Sequence, residues 1–343
     1  MLELHSPDGA FERIEAHLRE HGFFAPGGEH LVADLYLGYG LSEPLRRSPA
    51  AAPPEPLRLP LAAVSVRDTT GSDPGQVRIG QWRRSWSDGE YIDAIEAVRA
   101  AIGRGDVYQV NLVQHLQAEF EGAADALAER LAAFSPRTLA GDGWAIVSAS
   151  PELFLARRDR RVWTCPIKGT RPLGEHVEGE KDTAEHVMIV DLERNDLSRV
   201  CEPGSVRWPE LMVERALAGV THLVSTVEGT LRPDTALAEL LAATFPGGSV
   251  TGAPKLAALD LIAELEPVGR GASMGALGTV RGNGDLDLAL TIRTFAIADG
   301  SIHLWVGGGI VWDSEPEAEI KESWTKAGPL LAAIGAPVEA VAH

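Results

Sequence analysis

Residues 285–312 read DLDLALTIRTFAIADGSIHLWVGGGIVW. From Asp285 to Ile297 apolar and polar residues alternate, the period of a strand with two different faces, and Ser301 to Trp312 reads as a second strand. Only three residues separate them, close enough for a hairpin. Working outward, VYQVNLVQHLQAEF (107–120) and VTHLVSTVEGTL (220–231) read as further strands, and GWAIVSASPELFLARR (143–158) as a strand or hairpin bearing Glu152. Helical patterns are interspersed: Phe11, Ile14 and Leu18; Ile92, Ile95, Val98 and Ile102 behind a Ser87–Glu90 capping box; residues 122–134; LAALDLIAELEP (256–267) after Pro254; and Pro316 to Ile334. A Pro-rich connection (48–60) leads to two short strands expected around the TTGSDPG turn (69–75). Strands at hairpin distances mixed with helices predict a largely antiparallel α+β architecture.

The 343 residues suffice for one large or two ordinary domains with an ample core. A net charge of −18 argues against nucleic acid or an anionic membrane surface as partner. An anionic substrate would need a local positive site or a metal to overcome that field. Two cysteines, no signal-like N-terminus and no long uncharged apolar run are expected of a soluble cytoplasmic protein.

Lysine is scarce: of 31 basic residues only Lys168, Lys181, Lys255, Lys321 and Lys326 are lysines. A residue the chain otherwise avoids suggests a task arginine cannot perform, such as losing a proton to become a nucleophile, although a chance cluster is the alternative. Downstream of Lys168, Asp182 and Glu185 are spaced to project together from a helix whose VMIVDL core leaves no clean polar stripe. On the last helix Ile320, Trp324, Ala327 and Leu331 form one stripe, with Glu315, Glu319, Glu322 and Lys326 opposite. Those charges read either as a solvated face or as half of a site for a hard divalent ion such as Mg2+. Gly247-Gly248-Ser249 and Gly307-Gly308-Gly309 could turn backbone N–H groups toward an anion, or could simply be turns; the first lacks the spacing of a nucleotide P-loop. His222 and Arg293 each sit in an apolar strand pattern, where a core histidine and an edge arginine are the plain alternatives.

Eight blocks follow one another in a recognisable order: GDVYQVNL (105–112), SASPELF (148–154), PIKGTRP (166–172), KDTAEHVMIVDLERNDLSRVC (181–201), HLVSTVEG (222–229), FPGGSVTGAPK (245–255), DLDLALTIRT (285–294) and GGGIVWDSEPEAEIKESWTKA (307–327). Together they resemble the chorismate-utilising enzymes, and among them the component I group of the aminodeoxychorismate synthases. The resemblance implies one α+β body with two large, mainly antiparallel sheets packed together and helices outside. Residues 85–335 would form this catalytic unit, 1–84 a shortened N-terminal portion packed on it, and 336–343 a tail.

It also implies roles. Lys168 would be the nucleophile that attacks C2 of chorismate, which needs a neutral amine and so a pKa lowered from about 10.4. Glu152 would protonate the departing 4-hydroxyl. Glu185 and Glu319 would be Mg2+ ligands, with Asp182 and Glu322 beside them. Arg293 would hold the enolpyruvyl carboxylate, while His222, Ser249, Gly308, Gly309 and Lys326 line the same pocket. Isochorismate-forming relatives carry lysine where this chain has Gln109, so isochorismate is not the expected product. Ser273 and Thr279 stand at usual tyrosine positions, which predicts an altered pocket shape or rate. The region that binds regulatory tryptophan in larger relatives is abbreviated. No GxCxG elbow is present, so ammonia is expected from a separate glutaminase subunit or from ammonium salts. The product would lead toward 4-aminobenzoate and folate. Anthranilate synthase component I is the alternative, and a catalytically silent scaffold that only binds a glutaminase is a third reading.

Overall fold

A computed structural model of the chain describes residues 1–67, 76–172, 180–217, 220–336 and 341. Among them two antiparallel sheets dominate. The larger has ten strands; along it run Leu2–Leu4, Ala62–Val66, Val32–Leu37, Ala276–Arg281, Leu286–Leu290, Leu153–Arg158, Arg161–Cys165, Val220–Thr230 and Ile167–Pro172, with Arg207–Leu217 also paired to Val220–Thr230. The smaller has eight strands, in the order Gly252–Ala253, Gln109–Glu121, Ser301–Ile310, Thr294–Ala298, Trp144–Ser148 and Arg137–Ala140, with Arg78–Ile79 and Arg83–Arg84 also on Gln109–Glu121. The expected α+β class with two packed sheets is therefore the observed one.

Period-2 alternation explains how the sheets stack. In the smaller sheet Trp144, Ile146, Ala296, Ala298 and Trp305 join Leu35, Leu155, Leu277 and Leu288 of the larger sheet in one core. Their sequence neighbours Val147, Phe295, Ile302, Leu304 and Val306 point the other way, onto the helices Ala124–Arg130 and Pro316–Ala333. These strands are apolar on both faces because both faces are covered. A third cluster seats the helices Asp88–Arg104 and Lys255–Leu265 on Val110, Leu112 and Ile310.

The capping box is present: Ser87 Oγ accepts from Glu90 N at 3.3 Å while Glu90 accepts from Ser87 N at 2.7 Å. The stripe that helix buries is Tyr91, Ala94, Ile95, Val98 and Ala101, rotated slightly from the isoleucine stripe the spacing predicts. Gly105 ends it at φ 80°, a conformation suited to glycine.

Two expected strands are corrected. DLDLALTIRTFAI is two strands in different sheets, Leu286–Leu290 in the larger and Thr294–Ala298 in the smaller. GWAIVSASPELFLARR likewise is not a hairpin: Trp144–Ser148 lies in the smaller sheet and Leu153–Arg158 in the larger. Alternation cannot reveal such a switch, since both segments keep their period. The short strands after the Pro-rich connection also go to different sheets, and the TTGSDPG turn between them lies outside the described residues. Strands Leu2–Leu4, Val32–Leu37 and Ala62–Val66 form one edge of the larger sheet. In the C-terminal tail Ala336 and Val341 are buried against the outer core of the smaller sheet.

Candidate active site

The two sheet-switching segments make the site. Residues 149–152 and 291–293 cross between the sheets side by side and are tied at both ends: Ala149 N donates to Arg293 O, and Leu290 N, at the end of the strand that leads in, donates to Glu152 O, both at 3.0 Å. Arg293 sits at φ 50°, left-handed for a non-glycine residue, a strain the flanking strands hold in place. Glu152 and Arg293, distant in sequence, thus face one cavity of about 620 Å³. Arg293 is therefore not an edge residue inside a strand, as the alternation suggests.

Lys168, Glu185, His222 and Ser249 line this cavity, and so do Gly308, Gly309, Glu319, Glu322 and Lys326. Of the expected residues two stand apart. The side chain of Asp182 lies outside the described residues. Gln109 is buried behind Gly309, its Nε2 only 2.0 Å from where a Gly309 Cβ would be.

Glu152 is 4% exposed; its Oε1 accepts from Ile167 N at 3.3 Å, and Ser249 hydrogen-bonds its side chain. Burial raises its pKa, opposed mainly by the charge of Lys168. Lys168 is the second residue of the strand Ile167–Pro172, whose pairing with Val220–Thr230 slips between Lys168 and Thr170. Its charge also helps hold His186 down at about 4, although burial is the larger cause there. His222 is buried, and its Nδ1 lies 3.1 Å from Gly169 O. A carbonyl only accepts, so Nδ1 carries the proton. Burial lowers the His222 pKa, with Arg293 and Lys326 adding to the effect.

Of the charged stripe of the last helix, Glu319, Glu322 and Lys326 line the cavity, Glu322 still half exposed to solvent, while Glu315 is exposed and does not line it. Glu319 is 5% exposed, and a Cβ on Gly308 would lie 3.5 Å from Glu319 Oε2, 3.6 Å from Glu322 Oε1 and 3.3 Å from Lys326 Nζ. Lys326 pairs with Glu322 at 2.7 Å and donates to Gly307 O at 3.0 Å. Helix Glu180–Ser198 brings Glu185 to the same cavity. Carboxylate oxygens from two helices suit a hard cation such as Mg2+, which takes one or two protein carboxylates and keeps several waters. Among the described residues no three acidic, histidine or cysteine side chains are close enough to form a complete cage.

Two backbone expectations are corrected. Gly248 N donates to Glu193 Oε1 at 2.9 Å, so the loop's anion is an internal carboxylate. Glu193 is itself raised to about 7 by burial and by Asp196, and Asp196 pairs with Lys255 at 2.5 Å. Gly307, Gly308 and Gly309 are ladder residues opposite Val113, Leu112 and Asn111, not an open turn. Ser273 is fully buried and neither it nor Thr279 lines the cavity; Met274, at φ 61°, does. The sequence reading also missed Asn111, two residues from Gln109 on the same strand face, a spacing that could have drawn attention to it.

A family model described as chorismate binding enzyme matches residues 45–332. Aminodeoxychorismate synthase component 1 of Salmonella typhimurium is 42% identical over 266 residues, 73% of this chain and 58% of that protein. Anthranilate synthase component 1 of Streptomyces coelicolor is 37% identical over 310 residues, 86% of this chain and 59% of that protein. The chain thus spans less than two thirds of the length of these curated relatives. Anthranilate synthase component I from Streptococcus pneumoniae superposes with a TM-score of 0.74 at 27% identity, covering 87% of this chain and 80% of that structure. With the match running through all of the smaller sheet and eight of the ten strands of the larger, this chain belongs to the family of chorismate binding enzymes.

Proposed function

We propose that the chain is an aminodeoxychorismate synthase component that replaces the 4-hydroxyl of chorismate with an amino group. The observation that carries this reading is Lys168 on the wall of the cavity that Glu152 and Arg293 also line. In the first step the Lys168 amine forms a bond to C2 as the C4–O bond breaks. The ring's double bonds shift between those carbons, and Glu152 gives its proton to the hydroxyl, which leaves as water. In the second step the lone pair of ammonia forms the C4–N bond, the shift reverses, and Lys168 leaves with its electron pair. The surplus proton on nitrogen returns to Glu152. The sum is chorismate plus ammonia giving the amino product plus water.

Arg293 offers a planar fork for a carboxylate, and burial at the crossing strengthens that contact. Glu185 and Glu319, with Glu322 beside them, would hold Mg2+, which supplies positive charge against the second carboxylate of the substrate. Ammonia would come from a glutaminase partner, consistent with relatives being named component 1, or from ammonium salts.

The second reading, amination at C2 to give anthranilate, is supported by curated anthranilate synthase relatives of similar identity. Incubation with chorismate, Mg2+ and ammonium, followed by the lyase that releases 4-aminobenzoate, separates the two. 4-Aminobenzoate appearing only after the lyase is the expected result. Anthranilate forming without the lyase would overturn the proposal. Lys168→Ala is expected to lose at least a hundredfold in rate, and an unchanged rate would remove the covalent step.

A further inference from the structure

Two buried carboxyl groups take no part in the chemistry above. Glu193 and Asp196 lie three apart on helix Glu180–Ser198, so they share one face of it. Neither lines the cavity, but both hold the loop 246–250, which does. Glu193 Oε1 accepts from Gly248 N at 2.9 Å. Asp196 pairs with Lys255, whose Nζ donates to Pro246 O at 2.7 Å. The loop is therefore fastened to the helix on both sides of Gly247. Its packing leaves no slack either. A Cβ on Gly248 would lie 2.6 Å from Leu192 Cδ2 of that helix, and one on Gly247 would lie 3.0 Å from Leu290 Cδ2 of the larger sheet. Next to Gly248 stands Ser249, which lines the cavity and hydrogen-bonds the buried Glu152 side chain.

We propose that Glu193 is a positioning residue for the acid step: through Gly248 it keeps the Ser249 hydroxyl against Glu152, an inference that rests on the acid role given to Glu152. When Glu152 gives up its proton it becomes a buried anion, and a hydroxyl already aimed at it stabilises that charge as it forms. The same hydrogen bond lowers the Glu152 pKa against the effect of burial, which makes it a stronger acid. A serine hydroxyl has a short reach, so its aim depends on where the backbone at 248–249 sits. The hydrogen bond at Gly248 N fixes that backbone one residue away. Glu152 is surrounded by Lys168, Arg293, Ser249 and the Ile167 N–H; Glu193 faces Asp196, Lys255 and, least of these, Glu152. Burial and Asp196 raise Glu193 to about 7. Protonated or ionised, it keeps an oxygen lone pair for Gly248 N, so the fastening persists across neutral pH.

The test is the pH profile of kcat with chorismate, Mg2+ and saturating ammonium, together with the KM for chorismate. Glu193→Met is of similar size and removes the acceptor. Its kcat should fall about tenfold, the usual effect of one hydrogen bond to a charged group, while the chorismate KM stays within about threefold. The alkaline limb of its profile, where Glu152 loses its proton, should move to higher pH. Ser249→Ala should show the same fall in kcat and the same movement, and the double variant about the same loss as either alone. Glu193→Gln keeps an acceptor and cannot titrate, so its kcat should stay within about twofold of wild type, with the limb unmoved. Glu193→Asp, which keeps the charge and shortens the reach, carries the same expectations as Glu193→Met should that variant not fold. An unmoved limb in the Met or Asp variant, multiplying losses in the double variant, or a Gln variant as slow as the Met variant overturns the inference and leaves the acid role of Glu152 intact. Glu152→Gln turning over at the wild-type rate would overturn that role, and the inference falls with it.

Discussion

Glu152 illustrates how a single carboxyl is prepared for acid chemistry. Burial favours its protonated form, and Lys168, Ser249 and the Ile167 N–H limit the shift. A carboxyl whose folded pKa is raised contributes stability below its unfolded value and loses it as pH rises through the folded value. Glu152→Gln keeps the shape and removes the titration, so its melting temperature should exceed that of wild type at pH 8 and match it at pH 4, read by calorimetry. Its turnover should drop by about 10²–10⁴, the usual contribution of a positioned general acid. The acid role itself was suggested by sequence resemblance, whereas the burial that suits Glu152 to it is visible only in the packed structure. Arg293 shows the same division, since its residue type suits a carboxylate but its left-handed backbone at a sheet crossing has no sequence signature.

At the scale of elements, the cavity is framed by pieces that are locked from behind. Arg270 and Glu266, both essentially buried, form a bidentate pair at 2.7–2.8 Å. Arg270 also donates to Asn111 O and Val250 O, and Glu266 accepts from Val113 N. One ion pair therefore ties the C-terminal end of helix Lys255–Leu265 to the cavity strand and to the loop that carries Ser249. Arg270→Met should cost about 3–5 kcal/mol by urea denaturation, because Glu266 is left as an uncompensated buried charge. Helix Lys255–Leu265 was legible in the sequence from its apolar spacing. Its buried ion pair was not, because an i, i+4 Glu–Arg spacing looks the same on a solvated surface.

At the scale of the molecule, the stacked sheets bury titratable groups that do not themselves line the cavity. His115 and His303 lie 2.9 Å apart, and burial lowers them to about 3 and about 4. Unfolded, each would titrate near 6.5. Histidines with depressed folded values contribute stability above 6.5 that is lost as pH falls toward 4, so the melting temperature should drop steeply across that interval. The loss should reach about 3 kcal/mol for each histidine by pH 4, at about 1.4 kcal/mol per pH unit. His303→Phe, checked by the same pH series, should flatten the slope. Chorismate and Mg2+ added together should raise the melting temperature more than either alone, and EDTA should remove that extra rise.

The strand and helix periods, the capping box and the terminal glycine of helix Asp88–Arg104 were all readable along the chain, because each depends on neighbours within a few residues. So was the shortlist of charged residues, through their order in recognisable blocks. What only the tertiary structure decided is which strands change sheets and which side of a helix faces what. DLDLALTIRTFAI keeps its alternation while passing from one sheet to the other, and that passage delivers Arg293 beside Glu152. The last helix carries its charges opposite its apolar stripe as a solvated helix would, yet Glu319, Glu322 and Lys326 meet Gly308 inside a cavity. Local periodicity records that a face is polar; whether the face meets water or a substrate depends on contacts between residues far apart in the chain.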